Sequence, residues 1–153
     1  MYLLDTSCVG AARVRPHGAV LAWLKRVDDH DLQLSAVTIG EIQAGIEFMR
    51  ERDQVKAAEL EAWLEQVARS YNILSMDART FRAWERLMHR KPDELIEDAM
   101  IAASATVHNL TIVTRNVRDF DRFKVRTLNP FDPGLEQGYA SALYGVPARM
   151  SRP

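Results

Sequence analysis

The 153-residue chain has a single cysteine, Cys8. This excludes an internal disulfide framework and any Cys-x-x-Cys metal or redox motif, and it favours a reducing compartment, the cytoplasm. Charge of one sign is also lacking. With 20 Lys and Arg against 21 Asp and Glu, the formal net charge is −1, which excludes the pervasive positive field of a histone-like nucleic-acid binder but not a local basic patch. Long apolar runs are absent: the weakly apolar stretch 99–107 falls well short of the roughly 20 residues of a membrane span. The start, Met1-Tyr2-Leu3-Leu4-Asp5, has no cationic region and reaches a carboxylate at once, so no signal peptide is expected. Neither G-x-G-x-x-G, G-x-x-x-x-G-K-[ST] nor G-x-S-x-G occurs, which argues against dinucleotide, P-loop and hydrolase-elbow chemistry.

What remains is average for a soluble domain, with 47% apolar and 27% charged residues. One domain is expected over 1–130. From Pro130 the composition shifts to Pro, Gly and Ala without periodicity, so 131–153 reads as an arm or tail. There is no internal repeat.

Short apolar runs alternate with helical periodicity. Tyr2-Leu3-Leu4 does not alternate with polar residues and stops at Asp5-Thr6-Ser7, the pattern of a strand buried on both faces. Val20, Trp23, Leu24 and Val27 repeat at helical spacing after a Pro16–Gly18 breaker. Leu32-Gln33-Leu34-Ser35 is a strand candidate, and Thr38-x-x-Glu41 then reads as a capping box opening a helix with Ile39, Ile42, Ile46 and Met49 on one side. A long amphipathic segment from about Gln54 carries Leu60, Trp63, Leu64 and Val67, followed by a short strand at 71–74. Asp77 caps a helix with Phe81, Trp84, Leu87 and Met88 facing inward and a basic opposite face. Pro92-Asp93 starts a further helix through Ile96, Ala99, Met100 and Ala103, with Asn109 as a left-handed stop. Thr111-Ile112-Val113-Thr114 is the clearest strand. A turn at Arg115-Asn116, a short helix near 119–123 and a strand at 125–128 follow. This alternation predicts an α/β domain with a short-stranded, twisted parallel sheet flanked by helices.

In such sheets ligands bind beyond the carboxyl ends of the strands, so the acidic residues sort by position. Asp5 directly follows the first strand, Glu41 lies in the first turn after the second, and Asn116 and Asp119 follow 111–114. Asp98 sits inside a helix between apolar neighbours, where a charge needs water or a partner. Each has an ordinary reading: a turn for Asp5, capping for Glu41, pairing with a cation for Asp98, a helix N-terminus for Asp119. Gathered together, ionised carboxylates repel and raise one another's pKa, and such a cluster persists around a hard cation, Mg²⁺ or Mn²⁺.

Four segments carry a resemblance. Leu3-Leu4-Asp5-Thr6-Ser7, Thr38-Ile39-Gly40-Glu41-Ile42 with Gly45-Ile46, Glu97-Asp98-Ala99-Met100-Ile101-Ala102-Ala103-Ser104-Ala105, and Thr114-Arg115-Asn116-Val117-Arg118-Asp119-Phe120 are similar to the four acidic motifs of PIN-domain ribonucleases, in particular the VapC/FitB-like toxins of bacterial toxin–antitoxin pairs. The resemblance implies a PIN-like fold, a homodimer, a Mg²⁺- or Mn²⁺-dependent endonuclease cutting RNA, and a cognate antitoxin whose tail obstructs the acidic site. It implies Asp5, Glu41, Asp98 and Asp119 as the acidic quartet, with Thr6, Thr114 and Asn116 as auxiliary residues that orient ligand carboxylates or water. Asn116 stands where many relatives carry another aspartate, so occupancy by one ion and by two both remain open.

On this reading Asp5, Asp98 and Asp119 are metal ligands, Glu41 holds a second ion or acts as base toward the attacking water, and cleavage leaves a 5′-phosphate and a 3′-hydroxyl. His17, His30, His89 and His108 lie outside the four motifs and are assigned surface or structural roles. Arg115 and Arg118, beside the last motif, are the RNA-binding candidates, with Arg122 near them and Arg13 and Arg15 after the first motif. Arg79, Arg82, Arg86 and Arg90 form a stripe that suits a solvated face equally well. Two other readings are kept: a receiver-like signalling module, which would use an aspartate as phosphate acceptor but normally shows paired acids after its first strand, and a catalytically silent PIN-like binding protein.

Overall fold

The computed structural model describes residues 1–13 and 16–132. Arg15 and nearly all of the expected tail at 131–153 lie outside the described residues. The elements run β1 (Tyr2–Leu4), α1 (Thr6–Arg13), α2 (Gly18–Leu24), a 3₁₀ turn (Asp29–Asp31), β2 (Leu32–Ser35), α3 (Ala36–Arg50), α4 (Gln54–Ser70), β3 (Asn72–Leu74), α5 (Ala78–Met88), a second 3₁₀ turn (Asp93–Leu95), α6 (Ile96–His108), β4 (Thr111–Val113), α7 (Val117–Asp121) and β5 (Thr127–Leu128). The strands form one sheet in the order β3-β2-β1-β4-β5, and each neighbouring pair is parallel.

The apolar run of β1 is explained by helices on both sides. Successive strand residues point to opposite faces. Leu3 enters a cluster with Ala99, Ile101 and Ala102 of α6, Phe120 of α7 and Ile112 of β4. Leu4 enters another with Cys8 and Val9 of α1, Trp23 of α2, Val67 of α4 and Val113 of β4. A third cluster of Ile46, Ala57 and Leu64 joins α3 to α4.

Several boundaries follow the sequence. Asp77 caps α5 by accepting from the Thr80 amide at 2.8 Å, and Asn109 ends α6 in the left-handed region at φ 55°. Others do not. Helix α1 was not expected. Its Thr, Ser, Val and Gly favour helix poorly, and the burial of Cys8, Val9 and Ala11 overrides that preference.

The capping box at Thr38 and Glu41 does not form. Ser35, extended at φ −84° and ψ 145°, already caps α3, its hydroxyl accepting from the Val37 amide at 3.2 Å. Thr38 is thereby inside the helix, fully buried, with no partner for its hydroxyl among the described residues. Phe81, expected inward, is 43% exposed, because Trp84, Leu87 and Met88 already cover the core beneath α5. Helix α7 starts two residues before the expected stretch, and β5 is confined to Thr127–Leu128.

Candidate active site

Three central strands end side by side. Leu4 is in register with Leu34 of β2 and with Val113 of β4, so the positions at their carboxyl ends, Asp5, Ser35 and Thr114, lie in a row. All three are buried. The strand order reverses at β1, with β2 and β3 on one side and β4 and β5 on the other. That is where an open α/β sheet leaves a crevice for a ligand.

Asp5 is fixed at this point from three directions. Its amide donates to the Val113 carbonyl at 3.0 Å. Its Oδ2 accepts from Thr114 Oγ1 at 2.8 Å and from Ser7 Oγ at 2.9 Å. Ser7 in turn accepts from the Arg115 amide at 3.2 Å. These donors satisfy an oxygen of a buried carboxylate. Ser7 was not singled out from the sequence. Its only signal was a position two residues after Asp5, and that acquires meaning once α1 turns the hydroxyl back.

Glu41 reaches the site from α3, where its Oε2 accepts from Thr6 Oγ1 at the start of α1. Burial raises its pKa against the pull of the Thr6 hydrogen bond, and the charges of Asp5, Glu97 and Asp98 raise it further. Asp98, in the first turn of α6, is pushed up to about 6 by burial and then by Asp5, Asp119 and Glu97, with Arg122 opposing least. Arg122 stands 4.0 Å from Glu94 instead. Asp119, in α7, accepts from Asn116 Nδ2 at 2.6 Å, and the Asn116 amide donates to Thr114 Oγ1 at 2.9 Å. Hydrogen bonds therefore run without a break from Asp119 through Asn116 and Thr114 to Asp5. Glu97, next to Asp98 in the third acidic segment, adds charge to the group.

The carboxylates of this cluster offer only oxygen ligands and negative charge, the chemistry of a hard divalent cation. As the side chains stand, no three His, Cys, Asp or Glu among the described residues are arranged around one ion position. Cys8 is not a competing nucleophile: burial, then the charge of Asp5, push its thiol up to about 12 against a weaker pull from Ser7, and a protonated thiol is inert.

Arg115 and Arg118 are exposed beside Asn116, with the Arg115 guanidinium 5.3 Å from the Phe131 ring centroid. The stripe on α5 runs along α6. Arg79 donates to the Val107 carbonyl near the end of α6, and Trp84 to the Ile96 carbonyl at its start. The Arg86 end therefore lies toward the turn that carries Asp98. Arg13 contributes no described side chain.

Comparison with known proteins agrees with this layout. The PIN domain family model matches residues 2–125. The chain is 29% identical over 140 residues to the VapC ribonuclease Y4jK of Sinorhizobium fredii, a match covering 87% of this chain and 99% of that protein. It is 30% identical over 146 residues to the toxin FitB of Neisseria gonorrhoeae, covering 86% and 99%. The crystal structure of FitAcB from Neisseria gonorrhoeae superposes with a TM-score of 0.75 at 30% identity, covering 86% of this chain and 99% of that one. The matched span takes in all four carboxylates and the strand reversal that gathers them, leaving no place for a receiver-like module: the chain belongs to the PIN-domain family.

Proposed function

We propose that this chain is the toxin of a toxin–antitoxin pair and a Mg²⁺- or Mn²⁺-dependent endoribonuclease that hydrolyses RNA phosphodiester bonds. The observation that carries the reading is the hydrogen-bonded run from Asp119 through Asn116 and Thr114 to Asp5 at the strand reversal, with Glu41 held by Thr6 and Asp98 raised in pKa by burial, Asp5 and Asp119. The names of the relatives, a VapC ribonuclease and a toxin, support the same activity.

Asp5, Asp98 and Asp119 would hold the ion, and Glu41 would hold a second or take a proton from the attacking water. The chemistry such an ion would supply there is activation of a water, polarisation of the phosphate and stabilisation of the departing 3′-oxygen. The remaining work falls to the chain. Thr114 and Ser7 hold Asp5, Thr6 holds Glu41 and Asn116 holds Asp119, hydrogen bonds that would orient these carboxylates toward an ion. Arg115 and Arg118 bring phosphate toward the carboxylates. The product ends are a 5′-phosphate and a 3′-hydroxyl.

Its partners on this reading are RNA, a second copy of the chain and a cognate antitoxin that covers the acidic site. No described helix is long and apolar enough to cross a membrane. The proposed site of action is the cytoplasm. The test is to free the protein of any partner, incubate it with total RNA with and without Mn²⁺, and map the new ends. Cleavage should require the ion and should disappear in Asp98→Asn. A folded, nuclease-free Asp98→Asn protein that cuts at the wild-type rate refutes the assignment.

A further inference from the structure

We infer that the cavity between α1 and Phe131, next to the acidic site, is a nucleotide subsite in which one base of the RNA lies against Phe131 and His17 while its phosphate meets Arg115. The inference rests on the reading of the chain as a ribonuclease and names where the substrate is gripped.

The cavity has a volume of about 390 Å³, within the roughly 300–1,000 Å³ range of small-ligand sites. It shares a wall with the carboxylates. Thr6 and Ser7 line it, and the same two hydroxyls bind Glu41 and Asp5. A nucleotide here therefore neighbours a phosphodiester placed at the acidic cluster.

The other walls have the chemistry of base recognition. Phe131 is half-buried, and the His17 ring lies 4.8 Å from it, tilted by 54°. The Arg115 guanidinium is 5.3 Å from the same ring. Aromatic faces that stack bases beside a cation that meets the backbone are how single-stranded RNA is held without a base code. An apolar protein side chain would not use the guanidinium, and a bare anion would not use the rings.

Gly10 adds an independent observation. It lines the cavity from inside α1, where glycine disfavours the helix relative to alanine. A Cβ built there meets nothing within 4 Å. Thr6, Ser7 and Ala11 of the same helix line the cavity beside it, so Gly10 leaves open space at this wall.

Gly10→Leu adds bulk at this wall, where its Cβ has room, and replaces no carboxylate. It should melt no lower than the wild type. Affinity for fluorescein-labelled 12-mers of oligo(A), oligo(C) and oligo(U), measured in an Asp98→Asn background, should fall by about tenfold, the scale of losing one stacked base. In the otherwise wild-type enzyme, KM for cleavage should rise with kcat little changed. Phe131→Ala should act in the same direction.

A folded Gly10→Leu protein with wild-type affinity and KM overturns the subsite and leaves the nuclease intact. Unchanged RNA affinity combined with weakened binding of a partner protein also overturns it, and reassigns the cavity to that partner. Independently of any cavity variant, the His17 ring resonances of the Asp98→Asn protein should shift when oligo(U) is added. His17 unmoved at saturating RNA refutes the proposal. Failure of the wild type to cut any RNA with Mn²⁺ is instead a failure of the nuclease reading.

Discussion

Thr114 Oγ1 donates to Asp5 Oδ2 at 2.8 Å, joining two residues 109 positions apart across the strand pair where the sheet order reverses. The same hydroxyl accepts from the Asn116 amide at 2.9 Å. Replacing it leaves Ser7 as the remaining hydroxyl donor to Asp5 Oδ2 and the Asn116 amide without this acceptor. Thr114→Val should cost about 1–3 kcal/mol, read by urea unfolding. RNA cleavage should drop more than the lost folded fraction accounts for. Cleavage that tracks folded protein alone would reduce Thr114 to a stability role.

The pH dependence of the metal-free protein follows from Asp98. Its folded-state pKa of about 6 exceeds the roughly 3.9 of an unfolded aspartate. The stabilisation tied to this group is therefore fully present below about pH 4 and lost as pH rises through about 6. In EDTA, the wild type should lose stability relative to Asp98→Asn between those values, and Mg²⁺ should restore it at neutral pH by binding the folded state. Thermal melts of both proteins across this range check the sign. A difference independent of pH contradicts it.

Ser35 separates positioning of the site from its chemistry. It caps α3, the helix that carries Glu41. Ser35→Ala should lower stability by about 1 kcal/mol while Asp98 keeps its ionisation. NMR titration of the Asp98 carboxyl carbon reads the second quantity, and a displaced Asp98 titration shows that the cap also shapes the cluster.

Neutralising Arg115 and Arg118 tests which basic face meets RNA. Each phosphate contact removed should flatten the slope of log affinity against log salt by about 1. Arg115→Gln and Arg118→Gln should show this, and Arg79→Gln, tied to the Val107 carbonyl, should not. The reverse pattern would move the RNA path onto α5.

Much of the framework can be read from the chain itself. The apolar triplet Tyr2-Leu3-Leu4 requires helices on both faces, and that placed Asp5 at the carboxyl end of a central strand. Likewise 111–114 placed Thr114 and Asn116 beside it. Glu41 was expected in the first turn of its helix for a local reason that fails, since Ser35 is the cap and Glu41 turns to Thr6 instead. Helix α1 was illegible because Thr6-Ser7-Cys8-Val9-Gly10 favours helix only once Cys8 and Val9 are buried. Without α1, neither the Ser7 hydroxyl nor the space at Gly10 has a location. The contact of His17 with Phe131 leaves no periodic trace, because it joins a loop to the segment after the last strand.

The centre of the sheet is its first strand, and the neighbour that completes the acidic group is its fourth. During synthesis, Asp5 emerges first, with Ser7 as its local partner, and lacks Thr114 until the fourth strand is made. A chain interrupted on the ribosome before that point holds no assembled centre. On the proposed reading, a nascent chain gains no nuclease activity before Asp119 has been added.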